Sequence, residues 1–325
     1  CEVERGEVMK KTWYLIIGVV LLVIGCIAYG YHEHHKPKTA QELKTVRVAY
    51  LPITHALPVF ATKELETADG PVHVELVKYG SWPELMDALN TGKVDAASVL
   101  VELGVKAREQ GIDVRAAALG HTEGNIIIVN KDINSVQDLK GKSFAIPHKQ
   151  STQKILVDCM LEQAGLSEKD VQIVEMSPPE MPSALSVGQI AGYSVAEPFG
   201  SLALEMGTGK VFEDPDHLWH DNICCALVFN GQFVDEHHDL AKAFTKAYLD
   251  AGTYLDEHPK AQEEISSKYM KFNDSVIERS LKVIGFKDLA LTEDRYNALV
   301  HHMTHIDLIK KVPTYSEFVD TSLLP

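Results

Sequence analysis

The chain has 325 residues, 45% hydrophobic and 24% charged, which excludes a disordered or fibrous protein and suffices for one large core or two ordinary ones. Its formal charge of −15 repels phosphate backbones and anionic headgroups, so nucleic acid is not an expected partner. Five cysteines without a CxxC or an even framework signal neither a structural zinc nor a disulfide scaffold, and no cofactor is expected.

Met9-Lys10-Lys11 is a short positive start, Trp13 to Gly25 an uncharged apolar run, and Val23-Ile24-Gly25-Cys26 sets a small residue directly before cysteine. This reads as a secretory signal ending in a segment that resembles a lipobox. The expectation is a signal over 1–25, with Cys1 to Val8 an upstream over-extension, and a tether over 26–44 anchored to the membrane by a lipid on Cys26. An uncleaved anchor is the other reading, because about 20 apolar residues span a bilayer. Either reading places the rest of the chain on the extracytoplasmic face. His32, His34 and His35 in the tether read as solvated.

Val46 to Leu51 then reads as a strand ending at Pro52, followed by a helix start at Thr54. Val72 to Val77 is a second strand, Pro83 to Asn90 a helix stopped by Gly92, and Val94 to Leu100 a buried strand. Such alternation implies βαβ units and a parallel sheet. The same order returns later: Ser143 to Pro147, a helix from Thr152 to Ala164, the strand Val171 to Val174, a helix to Val187 closed by Gly188, and the strand Ile190 to Val195. Pro52 and Gly92 are separated by nearly the same spacing as Pro147 and Gly188. The pattern therefore predicts two similar α/β lobes.

Ligands of open parallel sheets sit at the carboxyl ends of strands, so both copies aim the same loops at one cleft. The loop after the first strand carries Thr54 and His55 in one copy, Ser151 and Thr152 in the other. Helix starts with free N–H groups are natural anion sites, and plain capping is the alternative.

The segments VRVAYLPITHALPVF (46–60), GSWPELMDALNTGKVDAA (80–97), SVQDLKGKSFAIPHKQSTQ (135–153), MSPPEMPSALSVGQIAGYSVAEPFG (176–200) and HLWHDNICCALV (217–228) resemble the nitrate/sulfonate/bicarbonate group of ABC-transporter substrate-binding proteins. The resemblance implies a type II periplasmic-binding-protein fold, with lobe one from 45–125 and 226–325, lobe two from 126–225, and hinge crossovers near 122–128 and 222–230. It carries the family's pocket tryptophan onto Trp82 beside Ser81, a polar residue after a glycine onto Asn125 after Gly124, and a polar helix residue onto Gln153. His220 falls where nitrate binders tend to carry lysine, which counts against nitrate. Trp82 reads equally as a core anchor, and Gln153 as an exposed helical residue.

Glu197, before Pro198 at a strand exit, reads as a cleft ligand or as half of a hinge ion pair. His148 joins the cleft candidates, with an ordinary loop histidine as its alternative. None of the candidates is Arg or Lys, which suits a small singly charged or zwitterionic solute. Adjacent Cys224 and Cys225 could form a vicinal disulfide or bind a soft metal, but their apolar strand favours two core residues, as does the setting of Cys159. His301, His302 and His305 have zinc-compatible helical spacing yet read as a solvated face. No metal site is therefore expected.

The function expected is a monomeric, lipid-anchored receptor that captures a small anionic or zwitterionic solute of the nitrate, sulfonate, bicarbonate or taurine class. It would deliver this solute to an ABC permease and ATPase and perform no chemistry. The alternatives are a fold-sharing enzyme of thiamine-pyrimidine or menaquinone synthesis, against which the export signal argues, and a surface sensor.

Overall fold

The repeat in the sequence is a repeat of strand pairing. A computed structural model describes residues 44–325, so the signal, Cys26 and the tether histidines lie outside the described residues. Strand β1 (Thr45–Tyr50) leads through helix α1 (Leu57–Glu64) to β2 (His73–Lys78), then through α2 (Trp82–Asn90) to β3 (Ala96–Leu100). Both β2 and β3 pair with β1 in parallel, Val48 standing opposite Leu76 on one side and Ala96 on the other. Asp95 holds this register, because its carboxylate accepts the Arg47 amide at 2.7 Å and pairs with the Arg47 guanidinium at 2.6 Å. Helix α3 (Val101–Glu109) continues to β4 (Val114–Leu119), after which the chain leaves the sheet.

Past the short β5 (Thr122–Glu123), β6 (Asn125–Asn130) opens a second sheet. Strand β7 (Ser143–Ile146), helix α4 (Thr152–Gln163), β8 (Gln172–Glu175) and β9 (Gly192–Ala196) repeat the first motif, with β8 and β9 both parallel to β7. Helix α4 begins where the sequence places it, with Ser151 Oγ capping the Lys154 amide at 3.1 Å. Lys154 is itself buried and neutralised by ion pairs to Asp158 and Glu168. After β10 (Gly209–Val211) the chain returns to the first sheet as β11 (Cys225–Asn230), and β12 (Ile284–Gly285) pairs with β5.

The orders are β2-β1-β3-β11-β4 and β10-β6-β9-β7-β8. Beside its last parallel strand each sheet thus holds one antiparallel strand that arrives from the other half, β11 next to β3 and β6 next to β9. Every residue of β3 and β11 is buried, which explains their unbroken runs of small and apolar residues. Helix His238–Glu257 covers this centre, with Phe244 edge-on to Phe229 at a ring separation of 6.0 Å. Among the described residues no helix is long and apolar enough to cross a membrane.

Phe229 is fully buried near the end of β11, so truncating its ring leaves a cavity in the core. Phe229→Ala is expected to cost about 3–5 kcal/mol of unfolding free energy in a denaturant titration. A cost below about 1 kcal/mol would contradict a tightly packed centre.

Candidate functional site

Leaving β4, the backbone runs so close to the loop after β1 that a Cβ on Gly120 would stand 2.8 Å from the His55 carbonyl oxygen. Glu123 and Gly124 follow in consecutive left-handed conformations, with φ of 58° and 81°. This turn aims two successive carbonyls at two imidazoles. His121 Nδ1 donates to Glu123 O at 2.7 Å, and His55 Nε2 donates to Gly124 O at 2.9 Å. A carbonyl only accepts, so these bonds fix both tautomers and leave lone pairs on His55 Nδ1 and His121 Nε2. The rings lie against each other at a 30° tilt with centroids 3.5 Å apart, both essentially buried. Burial, reinforced by the neighbouring His55, pushes the His121 pKa down to about 4.

The second crossover brings the cysteines to the same place. Cys225 Sγ lies 3.6 Å from His55 Nδ1 and 3.9 Å from Cys224 Sγ, well beyond a disulfide bond of about 2.05 Å. The Cys225 amide donates to His121 Nε2 at a long 3.3 Å. Burial opposes ionisation of Cys224, but the Cys225 thiol and the two histidines outweigh it and hold the Cys224 pKa well below that of an ordinary thiol. The second thiol, beside the first, is pushed up by burial and by that neighbour.

From the second sheet, α4 closes the site. Gln153 Nε2 donates to Asn125 Oδ1 at 2.7 Å and to Cys224 Sγ at 3.3 Å, while Asn125 Nδ2 donates to Asn222 Oδ1 at 3.0 Å. Thr152 Oγ1 stands 2.5 Å from Glu102 Oε1 and 2.7 Å from Ile223 O. One hydroxyl proton serves only one of them. Burial raises the Glu102 pKa well above the carboxylate range, and its protonated carboxyl supplies the second proton. Glu102 Oε2 and Gln153 Oε1 are buried without a hydrogen-bond partner among the described residues.

His55, Gly124, Asn125, Thr152 and Gln153 are thereby brought together, with Ser151 and Thr54 as supports. Thr54 Oγ1 donates to Glu197 O at 3.0 Å, tying the first sheet to the second. Ser81, Trp82 and His148 line a separate part of the cleft, a cavity of about 870 Å³ with Pro147, Met176 and Pro178 on its far wall. Trp82 borders that cavity while packed in the core at only 3% exposure, and its Nε1 has no hydrogen-bond partner among the described residues. Glu197 is not turned to a ligand or a hinge cation, because its carboxylate accepts the Ser201 amide at 2.9 Å and hydroxyl at 2.8 Å. His220 is exposed and paired with Asp216 at 3.0 Å, on the surface rather than in the cluster. His305 pairs with Glu162 on the surface, and Trp219 packs on His302.

The expectation of two core cysteines and no metal site missed what surrounds the sulfurs. Both are buried as expected, but His55, His121, Cys224 and Cys225 place ligand atoms within 4.8 Å of one another. His121, absent from the sequence candidates, lies in a segment whose only signal was its closeness to the crossover.

Two α/β halves that exchange strands around a cleft, with polar groups from both meeting at its floor, define the two-lobed periplasmic-binding-protein fold. The chain belongs to the NMT1-like family, whose model matches residues 39–269. It is 35% identical to a ligand-binding component of an ABC-type import system from Staphylococcus aureus solved with zinc bound, covering 86% of this chain and 97% of that one at a TM-score of 0.82. It is 29% identical to a putative aliphatic sulfonates-binding protein of Bacillus subtilis, over 84% of this chain and 82% of that one. A nitrate import ATP-binding protein of Synechocystis matches at 25% identity over 66% of this chain, which spans only 36% of that relative's length.

At Gly124 a Cβ would meet Ile284 at 2.8 Å and His55 Nε2 at 3.1 Å, in a left-handed conformation that L side chains rarely adopt. Gly124→Ala is expected to destabilise the fold by about 1–3 kcal/mol. Calorimetry checks this, and an unchanged melting temperature would contradict the close approach.

Proposed function

We propose that this chain is the extracytoplasmic receptor of an ABC importer, held at the membrane by a lipid on Cys26 and acting as a monomer. It encloses a small solute where the two sheets meet and presents it to a permease driven by an ATPase subunit. The observation that carries this reading is the shared floor of the cleft: α4 of the second half hydrogen-bonds residues of both crossovers, and buried polar atoms there await partners. A site built from both halves is completed by closure and dismantled by opening, which suits capture and release.

The solute is small, and the cluster of His55, His121, Cys224 and Cys225 that meets it offers sulfur and imidazole lone pairs and contains neither Arg nor Lys. With Glu197 bonded to its own helix, the argument that a carboxylate selects an amine-bearing zwitterion loses its basis. Sulfur and imidazole nitrogen stand where a bare oxyanion would need N–H donors or cations, so the solute departs from nitrate and simple sulfonates.

Two experiments test this reading. Cys26→Ala is expected to release the protein from the membrane fraction, and undiminished membrane binding would favour the spanning anchor. Tagged full-length chain is expected to capture its permease and ATPase from crosslinked membranes. Failure to capture either would argue for a sensor.

A further inference from the structure

We propose that His55 Nδ1, His121 Nε2, Cys224 Sγ and Cys225 Sγ bind one thiophilic d10 cation of the zinc class in a tetrahedral site, and that this cation is the solute. The inference rests on the receptor reading above and names the substrate of that site.

Geometry is the first support. Metal–sulfur bonds of about 2.3 Å and metal–nitrogen bonds of about 2.0–2.1 Å at tetrahedral angles put ligand sulfurs about 3.8 Å apart and sulfur about 3.5 Å from nitrogen. The two sulfurs stand 3.9 Å apart, and Cys225 Sγ stands 3.6 Å from His55 Nδ1. Adjacent residues of a regular strand point to opposite faces, but Cys224 precedes β11 and escapes that alternation. The whole set lies within 4.8 Å, so a cation is centred once His121 Nε2 gives up the Cys225 amide at 3.3 Å and the four atoms draw inward.

The surroundings of the ligands are the second support. A histidine that binds metal through one nitrogen is oriented by a hydrogen bond from the other, and here both imidazoles donate to the carbonyls of the left-handed turn. Gln153 donates to Cys224 Sγ, a bond that favours thiolate over thiol. The donor set excludes other classes. Two sulfurs and two imidazoles do not suit calcium or magnesium, which take oxygen ligands.

Charge closes the argument. A divalent cation bound by both sulfurs as thiolates, any remaining thiol proton passing to water, forms a site of zero net charge, with two thiolates against two positive charges. Such a complex needs no neighbouring Arg or Lys and tolerates desolvation, whereas an unpaired ion in this buried place would not. Release then follows from opening, because withdrawing α4 removes Gln153 from Cys224 and admits water and protons to the sulfurs.

The test uses the full-length chain, purified in detergent, reduced and freed of metal. Titration with cobalt(II) is expected to give the near-ultraviolet thiolate charge-transfer band and the strong visible bands of a tetrahedral ion, saturating at one equivalent and abolished by one equivalent of zinc. Cys225→Ser should lose much of the charge-transfer intensity and Cys159→Ser none of it. Gln153→Ala should keep the spectrum and weaken zinc about 10-fold. Cells carrying the chain and its transporter should accumulate radioactive zinc, and the Cys224→Ser/Cys225→Ser double variant should not support this.

Bands that persist in the double variant would overturn the proposal. So would a reduced chain that binds no metal, including one found with a Cys224–Cys225 disulfide beforehand. Stoichiometric binding of a trivalent arsenical without binding of zinc would overturn it in favour of a metalloid. Tight zinc binding with no effect of the double variant on uptake would overturn the cation's role as solute. Capture of the permease by the chain in any of these cases would leave the receptor reading standing.

Discussion

Buried backbone carbonyls need partners, and at the first crossover this requirement organises the site. Two residues in left-handed conformation turn the carbonyls of Glu123 and Gly124 inward, where only a donor can satisfy them. His121 and His55 supply the donors, and in doing so lose any freedom of tautomer and ring orientation. The strain of a non-glycine residue in this conformation, about 1–3 kcal/mol, is offset by the packing of the two rings and by the pairing of β5 with β12. His55 Nδ1 and His121 Nε2 then face the second crossover, where Nε2 accepts the Cys225 amide and the sulfurs lie.

The same economy governs the polar groups around them. Burial raises the Glu102 pKa with no cation beside it among the described residues, and its carboxyl and the Ile223 carbonyl share the Thr152 hydroxyl. Gln153 joins the amide pair Asn125 and Asn222 to the sulfur of Cys224. Each bond crosses between segments far apart in sequence. Alignment of the sheets and construction of the site are one event.

What the sequence made legible followed from local periodicity. The strands β1, β3, β7 and β9 and helix α4 were readable because apolar runs end at glycine, proline or a capping serine, and the repeat placed His55 and Thr152 at equivalent loops. The pairing of cysteines with histidines was not readable. It depends on two crossovers meeting in space, and a buried cysteine between isoleucine and alanine has the same local signature as a core residue. Glu197 was read correctly as a strand exit, but its carboxylate answers to Ser201, a helix-capping preference of the next turn. His220 carried only an alignment position, and its neighbour Asp216 holds it at the surface.

The late return of β11 to the first sheet also dictates an order of assembly. All five strands of the second sheet lie in one stretch from Asn125 to Val211, so a chain emerging N-terminus first can complete that sheet without waiting for later residues. The first sheet cannot close so early. Between β3 and β4 a slot stays open until β11 arrives, and meanwhile both flanking strands expose unpaired edges made mostly of alanine, valine and leucine, the kind that recruit foreign strands. The half that is synthesised first is therefore finished last, and the vulnerable interval ends only when the strand bearing Cys225 is inserted.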